Sequence, residues 1–345
     1  MAYDNTLGVN LCHGWTWSNK TCDDGEILVV NISKKPASLR WCLSKSRKLI
    51  PLTSTPIIRL RMGAAIAARK KRQLIYWREQ GIVGYDLTAK KEKLLVALDK
   101  NRFRAGQFWL NESEHVLYFI REKYTPSWDA ILDVLKKSGK SPGFKVNCSL
   151  LTYSFEEAKC RTIIDFHGSS PSVLVDTRDG FVYYWSKRKI IIADLHSGRI
   201  KKTVPEPEIV KLARLPSGNI LVWGFHADIA YQIDSAGRRK ATAFRGMFPA
   251  CSPDGKGCVY WKRDGRLVLA GAAKTPECVL SRNAFKEDSW TGLQPPAWSP
   301  RGKYFAIMLD TPDISGRPKI SLLVFDPRSK TASLRAQNIT DFVWL

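Results

Sequence analysis

The chain has 345 residues, of which 44% are apolar and 25% charged, a composition typical of a globular protein that excludes extended disorder. Its 55 Lys and Arg exceed its 32 Asp and Glu, and the net charge of +23 predicts an acidic partner. No basic and then apolar signal segment opens the sequence, and no apolar run could cross a bilayer, so we expect a cytoplasmic protein without membrane insertion.

The N-terminal stretch, residues 8–48, contains three strand-like segments, HGWTW, EILVVNI and ASLRWCL. It also brings Cys12, His13 and Cys22 close together in sequence, which would suit a metal ion. However, the eight cysteines form no C-x-x-C pair, and most lie in apolar runs typical of reduced core thiols. We therefore predict a structural role for this stretch, no disulfide, no metal and no cofactor.

A repeated apolar strand follows along the chain. Its copies end at Trp77, Phe119, Trp185, Trp223, Trp261 and Met308, at intervals of 42, 66, 38, 38 and 47 residues. Once an insertion is removed from the long interval, this period matches one four-stranded blade of a β-propeller. The tryptophans recur at one position per repeat, which favours packing between sheets over a surface for stacking sugars or bases.

The repeat divides the chain into consecutive units. We predict a single all-β domain over residues 1–345, a seven-bladed β-propeller of four-stranded blades. C-terminal residues 337–345 and N-terminal residues 8–48 would share the seventh blade and close the ring. The six other blades are expected at about 57–98, 101–165, 167–205, 207–245, 246–285 and 286–336.

A Ser-Pro turn joins two strands in two of these units, PACSPDGKGCVYW and PPAWSPRGKYFAIM, and partly in a third, RLPSGNILVW. These segments resemble the repeats of TolB-like and WD-repeat-like propellers. The chain lacks the Gly-His and Trp-Asp dipeptides of the WD-repeat family and an export signal such as TolB-like proteins carry. The resemblance implies a propeller used mainly for binding, and it carries over no site residues.

An insertion at residues 124–145 interrupts the connection between the second and third strands of its blade. Its sequence predicts a short helix with an apolar stripe and a basic C-terminal turn. A second insertion, residues 310–319, falls at the equivalent connection, so both insertions decorate one rim. The candidate partner-binding residues on this rim are Trp128, Ile131, Leu132, Leu135, Lys136, Lys137, Lys187, Arg188, Lys189, Lys262 and Arg263.

Other basic clusters lie in turns of the opposite rim. They are Arg69, Lys70, Lys71 and Arg72, then Lys90 and Lys91, and finally Arg238, Arg239 and Lys240. These residues are the alternative, nucleic-acid-binding site. Charge on both rims argues against one focused nucleic-acid groove, but it is compatible with a ribonucleoprotein component that meets phosphates from many directions.

Enzyme motifs are missing from the sequence: it contains no G-x-S-x-G, P-loop, H-E-x-x-H or G-x-G-x-x-G segment. The five histidines fall in different units, and only His167 and His226 suggest a lyase or hydrolase site at the axial channel. We favour the interpretation that both histidines are ordinary polar loop residues. We therefore predict no catalytic residues and a scaffold for protein–protein interaction in a larger intracellular complex. Nucleic-acid binding is the first alternative and the axial-channel enzyme the second.

Overall fold

The computed structural model describes the chain in segments separated by short gaps. These segments are residues 9–18, 27–31, 38–42, 49–51, 65–68, 71–78, 80–99, 103–126, 144–166, 172–215, 217–224, 230–242, 246–254, 256–271, 276–282, 295–312, 318–337 and 339–344. Every regular element in them is a β-strand. The strands are β1 (Val9–Leu11), β2 (Thr16–Trp17), β3 (Ile27–Asn31), β4 (Ser38–Cys42), β5 (Leu49–Pro51), β6 (Ala65–Ala68), β7 (Gln73–Arg78), β8 (Gly81–Asp86), β9 (Lys91–Ala97), β10 (Phe103–Asn111), β11 (Val116–Pro126), β12 (Phe144–Ser154), β13 (Lys159–Phe166), β14 (Val173–Asp176), β15 (Phe181–Ser186), β16 (Lys189–Asp194), β17 (Ile200–Pro205), β18 (Val210–Arg214), β19 (Ile220–Gly224), β20 (Ala230–Ile233), β21 (Arg239–Ala241), β22 (Met247–Cys251), β23 (Gly257–Trp261), β24 (Arg266–Gly271), β25 (Glu277–Arg282), β26 (Ala297–Trp298), β27 (Phe305–Pro312), β28 (Pro318–Asp326), β29 (Thr331–Gln337) and β30 (Ile339–Trp344).

The chain divides into two compact units. Unit 2, residues 58–209, contains three blades of four consecutive antiparallel strands, β6–β9, β10–β13 and β14–β17. The second strand of each blade is a continuous apolar run, because both of its faces are buried. The second and third blades pack through a shared cluster in which the rings of Phe166 and Tyr184 meet edge to face, with centroids 5.0 Å apart.

Unit 1, residues 1–57 and 210–345, contains the blades β18–β21, β22–β25 and β26–β29. Strand β1 adds to the outer edge of β25 in antiparallel orientation, and β2 adds to β29 in parallel orientation. A composite sheet of both chain ends has the order β30-β3-β4-β5. The core of this unit is aromatic, with Trp261, Phe305 and Phe325 fully buried.

The two Ser-Pro turns of unit 1 have the same hydrogen bonds. The Ser252 N–H donates to the Gly257 carbonyl at 2.7 Å, and the Gly257 N–H donates to the Ser252 hydroxyl at 2.9 Å. In the next blade, Ser299 and Tyr304 repeat both bonds, at 2.9 and 3.1 Å. Both serines are buried, so the repeated Ser closes a tight turn and has a structural role.

The predicted fold class is wrong in its details. Six blades, not seven, consist of four strands that follow one another in the chain, and the strands of the two chain ends form the separate composite sheet. Two of the six blades have five strands, because β1 and β2 extend them. No helix occurs among the described residues, and the described ends of the insertion, 124–126 and 144–145, belong to β11 and β12.

The prediction that no cysteines pair is also wrong. Cys12, which follows β1, forms a disulfide with Cys278 of β25, and the two residues are 266 positions apart in sequence. The bond ties the added strand to the edge of its blade, beside the hydrogen bond from the Cys12 N–H to the Val279 carbonyl at 3.0 Å. No helix long and apolar enough to cross a membrane is present in the segments given above.

Candidate binding surface

Each turn between the third and fourth strands of unit 2 begins with a side chain that accepts a backbone hydrogen bond, Asp86 in the first blade, Ser154 in the second and Asp194 in the third. Asp86 accepts hydrogen bonds from the N–H groups of Thr88 and Ala89, both at 2.8 Å. Asp194 accepts from the Ser197 N–H at 2.8 Å. Each turn then passes through a residue with positive φ, such as Lys90 at 54°. An Asp at the start of such a turn satisfies backbone donors that the sheet leaves unpaired.

These turns lead into β9, β13 and β17, the outermost strands of three successive blades, and each strand with its turn carries exposed cations. We call these exposed cations the basic edge. The basic edge consists of Lys90, Lys91, Lys93, Lys159, Arg161, Arg199, Lys201 and Lys202.

Two cations of the basic edge form ion pairs, Arg161 with Glu157 at 2.8 Å and Lys201 with Asp194 at 3.9 Å. Glu92 lies between two exposed lysines in sequence, but its carboxylate binds the buried Arg78 guanidinium at 2.7 Å and accepts a hydrogen bond from the Tyr76 hydroxyl. Asp194 is occupied in its turn, where hydrogen bonds from the backbone and hydroxyl of Ser197 hold the pKa of its carboxyl below the usual value. Burial and the same Glu92 raise the pKa of Tyr76. The three turns with their outermost strands hold eight cations and six carboxylates, a net charge of +2.

Large apolar side chains are exposed on the same edge. Leu94 of β9 is 46% exposed and Ile200 of β17 58%, and Ile209, which directly precedes β18, is 66% exposed. They are the only exposed large apolar side chains in the described parts of the chain. Each of the two strand residues directly follows a basic residue, Lys93 or Arg199. In these strands an exposed apolar residue is thus next to a cationic one in sequence, and the two side chains point to opposite faces of the strand.

The strands of the basic edge also end their sheets. β9, β13 and β17 each have one hydrogen-bonded neighbour among the described strands, as does β21 of unit 1, whereas β25 and β29 of unit 1 are covered by β1 and β2. An uncovered outer strand exposes backbone donors and acceptors that can pair with another extended segment. Unit 1 shows that this chain uses such pairing on its own blades.

A pocket of about 80 Å³, partly open to solvent, lies at the turn end of the first two blades of unit 2. Its apolar lining consists of Ala68, Leu110 and Phe155, and its polar lining of Lys71, Gln73, Glu112 and His115. The Lys71 ammonium lies 5.3 Å from the centre of the Phe155 ring, and the His115 imidazole lies 3.4 Å from the Glu156 carboxylate. No sequence pattern indicates this pocket, because its residues come from three separate turns.

The structure brings together part of the predicted nucleic-acid site. Lys71, Arg72, Lys90 and Lys91 are all exposed at one end of the first blade of unit 2, where the Arg72 carbonyl accepts a hydrogen bond from Leu87 at 2.9 Å. Arg69 and Lys70 lie outside the described residues. This end of the blade continues directly into the basic edge.

The third predicted cluster, Arg238, Arg239 and Lys240, belongs to unit 1. Asp234 pairs with Arg238 at 2.9 Å and with Lys240 at 3.7 Å, and the hydrogen bond from the Arg238 backbone lowers the pKa of the Asp234 carboxyl. The Arg239 guanidinium stacks over the Tyr231 ring at 4.4 Å. These cations are therefore largely engaged within their own blade.

The predicted partner rim is only partly visible. Lys187, Arg188 and Lys189 are exposed at the tight turn between β15 and β16, and Lys262 and Arg263 form the turn between β23 and β24. The first group belongs to unit 2 and the second to unit 1. The predicted helical residues of this rim, Trp128, Ile131, Leu132, Leu135, Lys136 and Lys137, lie outside the described residues.

The remaining residues that the sequence analysis considered are the repeated tryptophans and the candidate metal and catalytic ligands. Trp223 and Trp261 are buried in the unit 1 core, and Trp77 and Trp185 are half-buried. His13 is exposed beside the Cys12 disulfide, and Cys22, His167 and His226 lie outside the described residues. No group of three or more His, Cys, Asp or Glu that could hold a metal ion occurs in the described segments.

Sequence reasoning missed the basic edge as a unit. A sequence motif that begins with Asp recurs at the turn between the third and fourth strands of four blades. Its copies are DLTAKK, DLHSGR, DSAGRR and DPRSKT, beginning at Asp86, Asp194, Asp234 and Asp326. The first three copies place a cation where the outermost strand begins. Alignment on the third strand rather than on the tryptophan strand would have found it.

No family model and no curated protein matches the sequence. Among solved structures, an oligogalacturonate lyase in complex with manganese matches with a TM-score of 0.65 and 15% identity, over 92% of this chain and 90% of that chain. A chain of the mitotic checkpoint complex matches with a TM-score of 0.54 and 11% identity, over 93% and 83%. A dihydro-heme d1 dehydrogenase matches with a TM-score of 0.53 and 11% identity, over 95% and 76%. The chain therefore has a β-propeller fold, which these otherwise unrelated proteins share with it.

Proposed function

We propose that this β-propeller is a non-catalytic scaffold that binds an acidic segment of a protein partner along the basic edge, within a larger intracellular complex. The observation that carries the proposal is the alternation of exposed apolar and cationic side chains on open outer strands, as at Arg199, Ile200 and Lys201. A peptide with alternating acidic and apolar residues matches that pattern in charge and in spacing.

The apolar members of the basic edge favour a protein over a nucleic acid. Leu94 of β9 and Ile200 of β17 would gain from burial against aliphatic side chains, which nucleic acids do not offer. Single-stranded nucleic acids instead use exposed aromatic faces. Here Phe155 lies beneath Lys71, and Tyr231 lies beneath Arg239.

Nucleic-acid binding is the second candidate, because the net charge of +23 and the cluster of Lys71, Arg72, Lys90 and Lys91 favour it. An axial-channel lyase or hydrolase has no supporting observation among the described residues. The resemblance to a lyase at 15% identity concerns the fold alone.

The purified protein can be titrated with three labelled probes: a peptide of alternating Glu and Leu, a poly-Glu peptide, and a double-stranded DNA oligonucleotide. The proposal predicts that the Glu-Leu peptide binds most tightly, poly-Glu less tightly and DNA most weakly. Only the first probe can contact both the cationic and the apolar side chains of the outermost strands. DNA affinity also falls steeply with salt, in proportion to the number of phosphates contacted. Tighter binding of DNA than of either peptide at physiological salt would replace the proposal with the nucleic-acid alternative.

A further inference from the structure

Two cysteines face each other across the turn of the first Ser-Pro repeat. Cys251 ends β22, Cys258 lies in β23, and the two are directly opposite in the antiparallel register. The neighbouring pair, Ser252 and Gly257, is hydrogen-bonded through the backbone at 2.7 Å. Hydrogen-bonded and non-bonded pairs alternate in such a ladder, so the cysteines occupy a non-bonded site, where opposite side chains approach most closely. Their Sγ atoms are 3.1 Å apart.

The repeat does not require cysteine at these positions. In the next blade the equivalent opposite pair is Trp298 and Phe305, whose ring centroids lie 5.3 Å apart. An apolar aromatic pair therefore satisfies the packing of the same turn. The cysteines depart from the pattern at both positions at once, so packing alone does not explain them.

The surroundings hold the thiols in place without sealing them. Both residues are half-buried. The Trp298 side chain covers one side of the turn, because its Nε1 donates to the Ala250 carbonyl at 2.8 Å. Backbone positions of paired strand residues lie within the range that a disulfide spans, so bond formation needs rotation of the side chains only.

The two thiols also differ in acidity. Their mutual hydrogen bond lowers the pKa of Cys251, whereas the same bond and burial raise the pKa of Cys258. The thiolate is the nucleophile in thiol–disulfide exchange, so Cys251 is the thiol that reacts first.

We propose that Cys251 and Cys258 form a reversible disulfide across this turn, with a small-molecule disulfide as the oxidant. The Cys251 thiolate attacks one sulfur of the oxidant, forms a mixed disulfide and releases one thiolate. Cys258 gives its proton to solvent, attacks the Cys251 sulfur and releases the second thiolate. Two protein thiols are oxidised to one disulfide, and one molecule of oxidant is reduced to two thiols.

Peptide mapping after exposure to glutathione at several ratios of disulfide to thiol tests the proposal on the unmodified chain. Trypsin cleaves after Lys256, between the two cysteines, so the disulfide joins the peptides 246–256 and 257–262. We expect this linked pair, two hydrogens lighter than its parts, in more than half of the chains at oxidising ratios, and its loss on return to glutathione thiol. Cys160, an exposed cysteine, is the internal control and should only accumulate single glutathione adducts.

The variant Cys258→Ser should trap glutathione on Cys251, because the second attack is no longer available. The proposal is overturned if the unmodified chain shows separate adducts on Cys251 and Cys258, or if both thiols stay as reactive to alkylation after oxidant as before it.

Discussion

Trp344 anchors the C-terminal strand to the neighbouring blade of unit 1. Its side chain is 5% exposed and packs with Met308, Leu322 and Val324, and its Nε1 donates to the Ala297 carbonyl at 3.2 Å. Trp344→Ala removes the largest side chain of this cluster, and such core truncations cost about 3–5 kcal/mol. Trp344→Phe keeps most of the buried area and loses one hydrogen bond, at a cost of about 1 kcal/mol.

The two variants are compared by guanidinium unfolding and by amide hydrogen exchange. We expect the Trp344→Ala midpoint to fall by about 1 M, given a denaturant slope of several kcal/mol per M. Exchange should accelerate in β3, which pairs with β30, while the amides of β7 in unit 2 serve as the internal reference. Unchanged midpoint and unchanged β3 exchange in Trp344→Ala would refute this account of how the chain end is held.

Three further predictions concern the turns and the disulfide. Cys12→Ser should lower the free energy of unfolding, measured by chemical denaturation, by roughly 2–4 kcal/mol, because it removes a cross-link between distant parts of the chain. Reductant should have no further effect on the stability of that variant. Gly198→Ala should destabilise unit 2 by about 1–3 kcal/mol. Gly198 has a φ of 68°, and a Cβ there would lie 2.3 Å from the Ile163 carbonyl oxygen. An unchanged melting temperature would argue against that close approach. The carboxyl groups of Asp194 and Asp234 have lowered pKa values in the folded protein. Their contribution to stability is therefore complete above the usual carboxyl pKa near 4 and is lost as the pH falls through the lower folded values. Thermal melts between pH 5 and pH 2 should show a smaller acid-induced drop in melting temperature for a double variant, Asp194→Asn with Asp234→Asn.

The sequence predicted the kind of fold well because its signals are local and repeated. Apolar strands that end at Trp223 and Trp261 recur at the blade period, and both tryptophans are buried in the unit 1 core. The Ser-Pro turns also read correctly as structural, since Ser252 and Ser299 each close a turn with the same two hydrogen bonds. Short-range patterns of this sort depend little on the rest of the chain.

Long-range pairings were beyond such patterns. The Cys12–Cys278 disulfide joins residues 266 positions apart, and nothing in the spacing of scattered cysteines identifies a pair. The strands β1 and β2 are only three and two residues long, and each is defined by the blade edge that it covers. The added strands therefore follow from tertiary pairing rather than from local preference.

The candidate surface was predicted in fragments for a similar reason. Lys90 and Lys91 were recognised as one run of charge, but the short basic segments 159–161 and 199–202 were not, because only the blade repeat shows that they occupy equivalent outermost strands. The exposure of Ile200 could not be foreseen, because an apolar residue at the start of a strand normally indicates burial. Whether such a residue is buried depends on whether its strand lies inside the sheet or at the sheet edge.

Binding of the fluorescent Glu-Leu peptide to charge-reversed variants tests the central claim most directly. Lys201→Glu with Lys202→Glu changes the basic edge, and Lys187→Glu with Arg188→Glu makes the same change in net charge in the turn between β15 and β16 of the same blade. The account predicts that the first variant binds the peptide at least tenfold more weakly at physiological salt, while the second stays within about twofold of the unmodified protein, with both variants folded by circular dichroism. Equal weakening by the two variants, or no weakening by the first, would contradict a specific site on the basic edge.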